Sequence, residues 1–237
     1  MNNYILYAIL ILTGLLGTYA IIPLFRSLLI ESNVLRPNYK KDMIPVSMGI
    51  VFLPMLIINA IILAYFTTNF KDMLHIFIFL FGLVSMFFAG ILDDIIGNRD
   101  VSGLKGHFKS LLNGKLTTGG FKALFGGFIG LVISIAISKN IYDIVINTLI
   151  IALSTNLMNL LDLRPGRAIK GYLVISIVLL FTLGEYTRNL LLLIFPNVIA
   201  YFNQDLKAKA MMGDTGSNVL GISTRILASF PTSLWLI

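Results

Sequence analysis

The chain lacks cysteine altogether and carries little charge. Only 12% of its 237 residues are Asp, Glu, Lys or Arg, roughly half the share usual in a soluble domain. Without cysteine there are no disulfides and no thiolate metal sites. The two histidines, His75 and His107, do not form a metal site. Acids are scarcer than bases, 11 against 18, which leaves a net charge of +7. In a soluble protein such a balance would point to nucleic acid. Here 57% of the residues are hydrophobic and the mean hydropathy is +0.90. An ordinary soluble domain, a disordered chain and a disulfide scaffold are excluded. The excess of positive charge reads as the loop bias of a membrane protein, with no nucleic-acid partner.

What the sequence has in abundance is long apolar runs. A membrane-spanning helix needs about 20 such residues. Eight runs qualify or nearly so, at 4–25, 46–67, 73–92, 120–138, 141–161, 171–184, 187–203 and 216–237. None alternates with period two, which excludes a β-barrel. The expected fold is all-α, one polytopic membrane bundle of about eight transmembrane helices over 1–237, with no internal repeat or domain boundary. The first run is too long for a signal peptide alone, and no small-residue cleavage site follows it. Fourteen of the 18 basic residues fall in connections on one side. Only Lys71, Lys139 and Arg188 fall on the other, and Arg225 lies within the last run. The positive-inside rule then puts the rich side in the cytoplasm and the N-terminus outside.

Four polar motifs edge the cytoplasmic ends of these runs. Asp93 and Asp94 close the third run in GILDDIIG. Paired carboxylates there suit Mg²⁺, or a pair in which one ionises and the other keeps a proton; a solvated helix end is the plain alternative. In KLTTGGFKALFGG, Thr117 or Thr118 is placed to cap a helix bearing Lys122. That arrangement favours phosphate, or is an ordinary capped helix with a snorkelling lysine. Asn156, Asn159 and Asp162 recur every three residues in NLMNLLDLRPGRAIKG. They form one polar stripe, for a ligand or for helix–helix hydrogen bonds. Arg164, Arg167 and Lys170 follow, as phosphate-binding charge or as topology signals. In MMGDTGSNVLG, Asp214 stands between Gly213 and Gly216, as a metal ligand or a helix cap. All four motifs fall on one membrane face, which suggests a Mg²⁺–phosphate site beside lipid.

In order, RPNYKKDMIPVSMG, GILDDIIG, KLTTGGFKAL, NLMNLLD and GDTGSNVLG resemble the motifs of the polyprenyl-phosphate N-acetylhexosamine-1-phosphate transferases, over residues 36–221. The resemblance implies a glycosyl-1-phosphate transferase in the bacterial plasma membrane, multi-pass, with a cytoplasmic active site. Such an enzyme moves a sugar-1-phosphate from a nucleotide sugar, normally a UDP-sugar, to undecaprenyl or another polyprenyl phosphate, releases UMP and starts a cell-envelope glycan. It implies Mg²⁺, with Mn²⁺ as a substitute. By position, Asp93 and Asp94 match the paired catalytic aspartates, and Asp214, with Asp94, matches the metal site. Asn159 and Asp162, beside Asn156, match the nucleotide side. Lys122 matches a phosphate-contacting lysine, and Lys40 or Lys41 another. A second copy of the chain is an allowed partner.

The chain departs from that family in three places. The usual NLxDGxDG continues here as Asp162-Leu163-Arg164-Pro165-Gly166-Arg167, so the second aspartate is replaced by Pro165. Arg164 and Arg167 are expected instead to hold the donor through its phosphates or an acidic sugar, with weaker selection of the base. The family's histidine-rich loop is not found before Ile237, and Arg225 interrupts the last run. A weakened relative that binds polyprenyl phosphate or regulates a pathway is the alternative reading. A transporter is disfavoured because its polar groups would be shared between both faces.

Overall fold

A computed structural model describes residues 3–97, 106, 110 and 112–229. His107 and the end of the last apolar run lie outside them. Nine α-helices are described: α1 (Asn3–Glu31), α2 (Phe52–Phe66), α3 (Phe70–Ile96), α4 (Thr118–Ile137), α5 (Ile141–Leu161), α6 (Arg167–Thr182), α7 (Glu185–Leu192), α8 (Phe195–Leu206) and α9 (Gly213–Ser229). A two-stranded antiparallel hairpin, β1 (Leu35–Pro37) and β2 (Met43–Pro45), pairs Arg36 with Ile44. A 3-10 turn over Met48–Val51 leads into α2.

The fold is the expected all-α bundle. Among the described residues, five helical stretches are long and apolar enough to cross a membrane: Asn3–Glu31, Met48–Phe66, Phe70–Ile96, Thr118–Ile137 and Ile141–Leu161. The sixth and seventh runs form shorter helices, and the last is described only as far as Ser229. The seventh run is not one rod. It breaks between α7 and α8 at Leu193 and Ile194, and Pro196 stands in the first turn of α8. Proline lacks the amide that would continue a helix but suits the start of one.

Burial shows which faces meet protein. In α1 the buried residues are Leu29 and, nearer the N-terminus, Leu6, Leu10, Gly14, Thr18 and Ile22. They form a stripe one turn apart, while Tyr4, Leu12, Leu16 and Tyr19 on the other faces are exposed. Exposed apolar side chains on that scale fit lipid rather than water. Helix α9 is the opposite case. It is buried from Thr215 to Leu227 except at Arg225, and it packs between α3 and α5. Small residues permit this. A Cβ on Gly90 of α3 would lie 2.5 Å from Thr215 Cα, and one on Gly221 of α9 would lie 2.5 Å from Thr155 Cα.

Some buried amides bond across helices. Asn59 of α2 donates to Leu10 O at 3.0 Å and accepts from the Thr13 hydroxyl. Asn197 of α8 donates to Phe52 O at 3.3 Å. Such bonds are worth about 1 kcal/mol each in an apolar bundle. They fix α1, α2 and α8 around one another.

Candidate functional site

The four polar motifs converge at one end of the bundle. The C-terminus of α3, the N-terminus of α4, the C-terminus of α5 and the N-terminus of α9 all meet there. The opposite end gathers Asn3, which donates to Glu185 at 2.5 Å, and Tyr186, which donates to Asp72 O.

Helix α9 begins at Gly213 in the left-handed region, φ +73°. Its first amides point at carboxylates from other helices. The Gly213 amide donates to Asp162. The Asp214 amide donates to Asp94 Oδ1 at 3.0 Å, and the Thr215 amide to Asp94 Oδ2 at 2.9 Å. The Thr215 hydroxyl adds a bond of 2.6 Å to Asp94 Oδ2. Two acids thus cap the positive end of a helix that neither belongs to. Gly213 is required at this point, because a Cβ there would stand 2.9 Å from Asp94 Cγ in a backbone conformation other residues avoid. Asp94, expected as a catalytic and metal-binding acid, is buried with both oxygens engaged by α9.

Asp93 and Asp214 remain as the acids beside Lys122. The Lys122 ammonium lies 2.6 Å from Asp214 Oδ2 and 3.9 Å from Asp93 Oδ2. Thr117 caps α4 by accepting from the Gly120 amide at 3.0 Å. The lysine therefore rises from the second turn of a fixed helix. Arg36, which the sequence offers only as a loop charge, anchors the other side. Its Nη2 donates to Asp94 O at 2.8 Å and Gly97 O at 3.2 Å. A cation on the last carbonyls of α3 is favourable at that helix end.

A cleft of about 510 Å³ opens beside this cluster, between α3, α4 and α5. Its polar end carries Asp93, Lys122, Asn156 and Asn159; Met86, Gly126, Gly127, Ala152 and Leu153 line the apolar remainder. Asn159 accepts from the Ser217 hydroxyl of α9. The polar stripe of α5 is divided. Asn156 and Asn159 line the cleft, while Asp162, which ends α5, faces a separate small pocket with Asp205, Arg164 and Tyr39. There the Arg164 guanidinium lies 5.8 Å from the Tyr39 ring centre and the Lys40 ammonium 5.5 Å from it. Lys41 and Arg167 are exposed, and neither is brought to the Asp93–Lys122–Asp214 cluster by any bond between described residues.

Asp205 was not legible as a site residue, since a single acid after an apolar run looks like a loop charge. It is buried, and its Oδ2 accepts from the Gly166 amide at 2.6 Å. Burial pushes its carboxyl up to about 6. Burial and the neighbouring Asp205 likewise raise Asp162. The folded protein then holds a proton at Asp205 that the unfolded chain has released, so stability falls as pH rises from about 4 to about 6. Asp205→Asn is expected to flatten that part of the curve of melting temperature against pH and to raise the melting temperature at pH 7. Thermal unfolding in detergent between pH 4 and pH 8 checks this; an unchanged slope would show that Asp205 ionises freely when folded.

Among the described residues, no three His, Asp or Glu side chains gather as a metal cage. Two carboxylates, Asp93 and Asp214, face one another across Lys122. Hard oxygen donors in that number suit Mg²⁺, which keeps several waters and commonly binds through one or two carboxylates plus substrate phosphate. Compared with known proteins, the chain matches no family model and no curated protein.

Proposed function

We propose that the protein transfers a sugar-1-phosphate from a nucleotide sugar to a polyprenyl phosphate at the membrane surface, as its resemblance to the polyprenyl-phosphate N-acetylhexosamine-1-phosphate transferases implies. The observation that carries this reading is the cleft. Its lining runs from glycines and apolar side chains up to Lys122, Asp93 and two asparagines. A prenyl chain fits the first part and a phosphate the second.

Each residue then has a task. Lys122 meets the lipid phosphate. Asp93 and Asp214 are the side chains that would hold Mg²⁺, which would supply charge neutralisation for the reacting phosphates. Asp94 and Arg36 keep the ends of α3 and α9 in register. Asn156 and Asn159 orient the groups bound at the polar end of the cleft. Asp162, Arg164 and Arg167, with Lys40 and Lys41, serve the nucleotide side. A lipid phosphate oxygen attacks the β-phosphorus of the donor, the bond between the two donor phosphates breaks, and the nucleoside monophosphate leaves. Attack of one anion on another needs this positive surround more than it needs a strong base. The purified protein, given undecaprenyl phosphate, Mg²⁺ and a panel of nucleotide sugars, should release nucleoside monophosphate. Absence of release with every donor would reject the transfer reaction.

The cleft itself can be closed. A Cβ at Gly127 would meet nothing within 4 Å, and Gly127 lines the apolar part of the cleft, so Gly127→Leu puts a side chain into open space there. Replacing glycine in a helix gains about 1 kcal/mol. The variant should therefore fold at least as stably as the parent and lose most of its turnover and its binding of undecaprenyl phosphate. Unaltered binding would move the lipid elsewhere.

The orientation follows from the charge split, with the site end cytoplasmic and the N-terminus outside. Single cysteines placed at Lys139 and at Arg167 should react with an impermeant thiol reagent from outside and from inside, respectively. The chain has no native cysteine to confuse the result. Outside labelling at position 167 would invert the scheme.

A further inference from the structure

Arg225 interrupts an otherwise buried stretch of α9, and the transfer reaction gives it no task. It follows Asp214 by eleven residues, about 16 Å along the helix axis, on the way to the end of the bundle opposite the Asp93–Lys122–Asp214 cluster. Its surroundings are apolar. At this level α3, α4 and α9 meet at Gly82, where a Cβ would lie 2.8 Å from both Ile133 Cδ1 and Ile226 Cδ1. A charged side chain inside a membrane bundle is costly and is ordinarily paired.

The protein orients this guanidinium without neutralising it. Arg225 Nη2 donates to Asn147 Oδ1 of α5. Asn147 Nδ2 in turn donates at 2.8 Å to the hydroxyl of Ser138, the residue that ends α4. Arg225 Nε has no partner. Among the described residues, both ion pairs belong to Lys122, so no acid answers Arg225. Asp143, one turn before Asn147 on α5, accepts from the Asn140 side chain at 2.7 Å. Lys139, exposed next to Asn140, adds a second cation at the same turn. Arg225 and Lys139 thus stand against a single acid, with Asn147 and Ser138 bridging from the bundle to its surface.

The flanks of this bridge are built for acyl chains. Ile135, three residues before Ser138 on α4, and Ile150, three after Asn147 on α5, share the faces of those residues, and both are exposed. Exposed apolar side chains on membrane-crossing helices meet lipid. We propose that Arg225, Asn147 and Ser138 form a seat for the phosphate of a membrane lipid, in the leaflet away from the Asp93–Lys122–Asp214 cluster. The acyl chains lie along Ile135 and Ile150. The phosphate takes the guanidinium fork, whose geometry matches two of its oxygens, and the Ser138 proton. Asn147 holds both donors in place. The lipid supplies the negative charge that the protein does not. This seat rests on the membrane-spanning helices alone and stands apart from the transfer reaction.

The measurement is the melting temperature of the detergent-purified full chain, titrated separately with phosphatidylglycerol, with diacylglycerol of the same chains and with inorganic phosphate. Phosphatidylglycerol should raise it. Diacylglycerol lacks the phosphate and inorganic phosphate lacks the chains, so neither should. Arg225→Gln keeps a donor for Asn147 and removes the charge; it should need about ten times more phosphatidylglycerol for the same rise. Arg225→Lys keeps the charge without the fork and should fall between. Gly127→Leu, which fills the cleft, should respond as the parent does. A parent indifferent to phosphatidylglycerol, or a parental response in Arg225→Gln, would overturn the seat. Loss of the response in Gly127→Leu would overturn it too, by placing the lipid in the cleft. An equal response to inorganic phosphate would overturn the lipid as its occupant. If Arg225→Gln cannot be purified folded, Asn147→Ala carries the test. It leaves the charge but frees the guanidinium and Ser138, and a parental response from it would overturn the proposal.

Discussion

Conversion of Asp214 to Asn is expected to remove transfer activity by roughly a thousandfold or more, in keeping with the several kcal/mol that a bound cation supplies to phosphoryl chemistry. Asp93→Asn should do the same. Both side chains are partly exposed, and both face the Lys122 ammonium, at 2.6 Å and 3.9 Å. Neither provides the cap on α9, so the melting temperature of both variants should stay near that of the parent. Asp94→Asn is expected to differ in kind. One of its oxygens becomes an amide nitrogen that faces either the Asp214 amide, at the Oδ1 position, or the Thr215 amide, at the Oδ2 position, donor against donor. Leaving buried donors unpaired costs about 1–3 kcal/mol each, so this variant should lose stability along with activity. Release of nucleoside monophosphate and thermal unfolding, measured on all three, separate the two effects. Near-parental turnover in both Asp93→Asn and Asp214→Asn would remove these acids from the chemistry.

Gly90→Val should be the most damaging single change to the fold outside the chemistry. A Cβ at Gly90 already lies 2.5 Å from Thr215 Cα and 2.6 Å from the Asp214 carbonyl carbon. These are backbone atoms, which cannot turn aside as a side chain would. Helices α3 and α9 must part, and the Asp94 cap on α9 parts with them. Overpacking of a core commonly costs about 1–3 kcal/mol, and loss of a buried charged hydrogen-bond set adds several more. The expected result is a chain that melts well below the parent or cannot be purified folded. Gly127→Ala, in the open cleft, serves as the control and should match or exceed the parent. Equal melting of Gly90→Val and the parent would mean that α3 and α9 do not pack as closely as described.

The apolar runs and their spacing were enough to establish helices, their approximate ends and an all-α bundle, because each run must satisfy its own backbone in hydrocarbon. Local chemistry also offered Thr117 or Thr118 as the cap of α4, of which the structure uses Thr117, and marked the glycines around Asp214. The break at Leu193–Ile194 was legible only in part, since Pro196 signals a helix start but also tolerates a kink. Arg36 and Asp205 were not legible as site residues. A single charge in a connection has no periodicity, and its partners, the α3 carbonyls and the Gly166 amide, are backbone groups remote in sequence.

What only the tertiary structure decided is the division of labour among the acids. Adjacent residues on a helix point about 100° apart, so the sequence treats Asp93 and Asp94 as one pair. Folding turns Asp94 inward to the amides of α9 and leaves Asp93 at the cleft with Lys122. The same holds for the asparagine stripe. Three-residue spacing puts Asn156, Asn159 and Asp162 on one helical face, but α5 ends at Leu161, and Asp162 leaves that face for the pocket of Asp205. Composition and pattern determine which residues are polar and at which end of the bundle they gather. Which of them meet a ligand, and which are spent holding helices together, depends on where α9 inserts between α3 and α5. That insertion is permitted by close contact at Gly90 and Gly221, a property of two surfaces and not of any one segment.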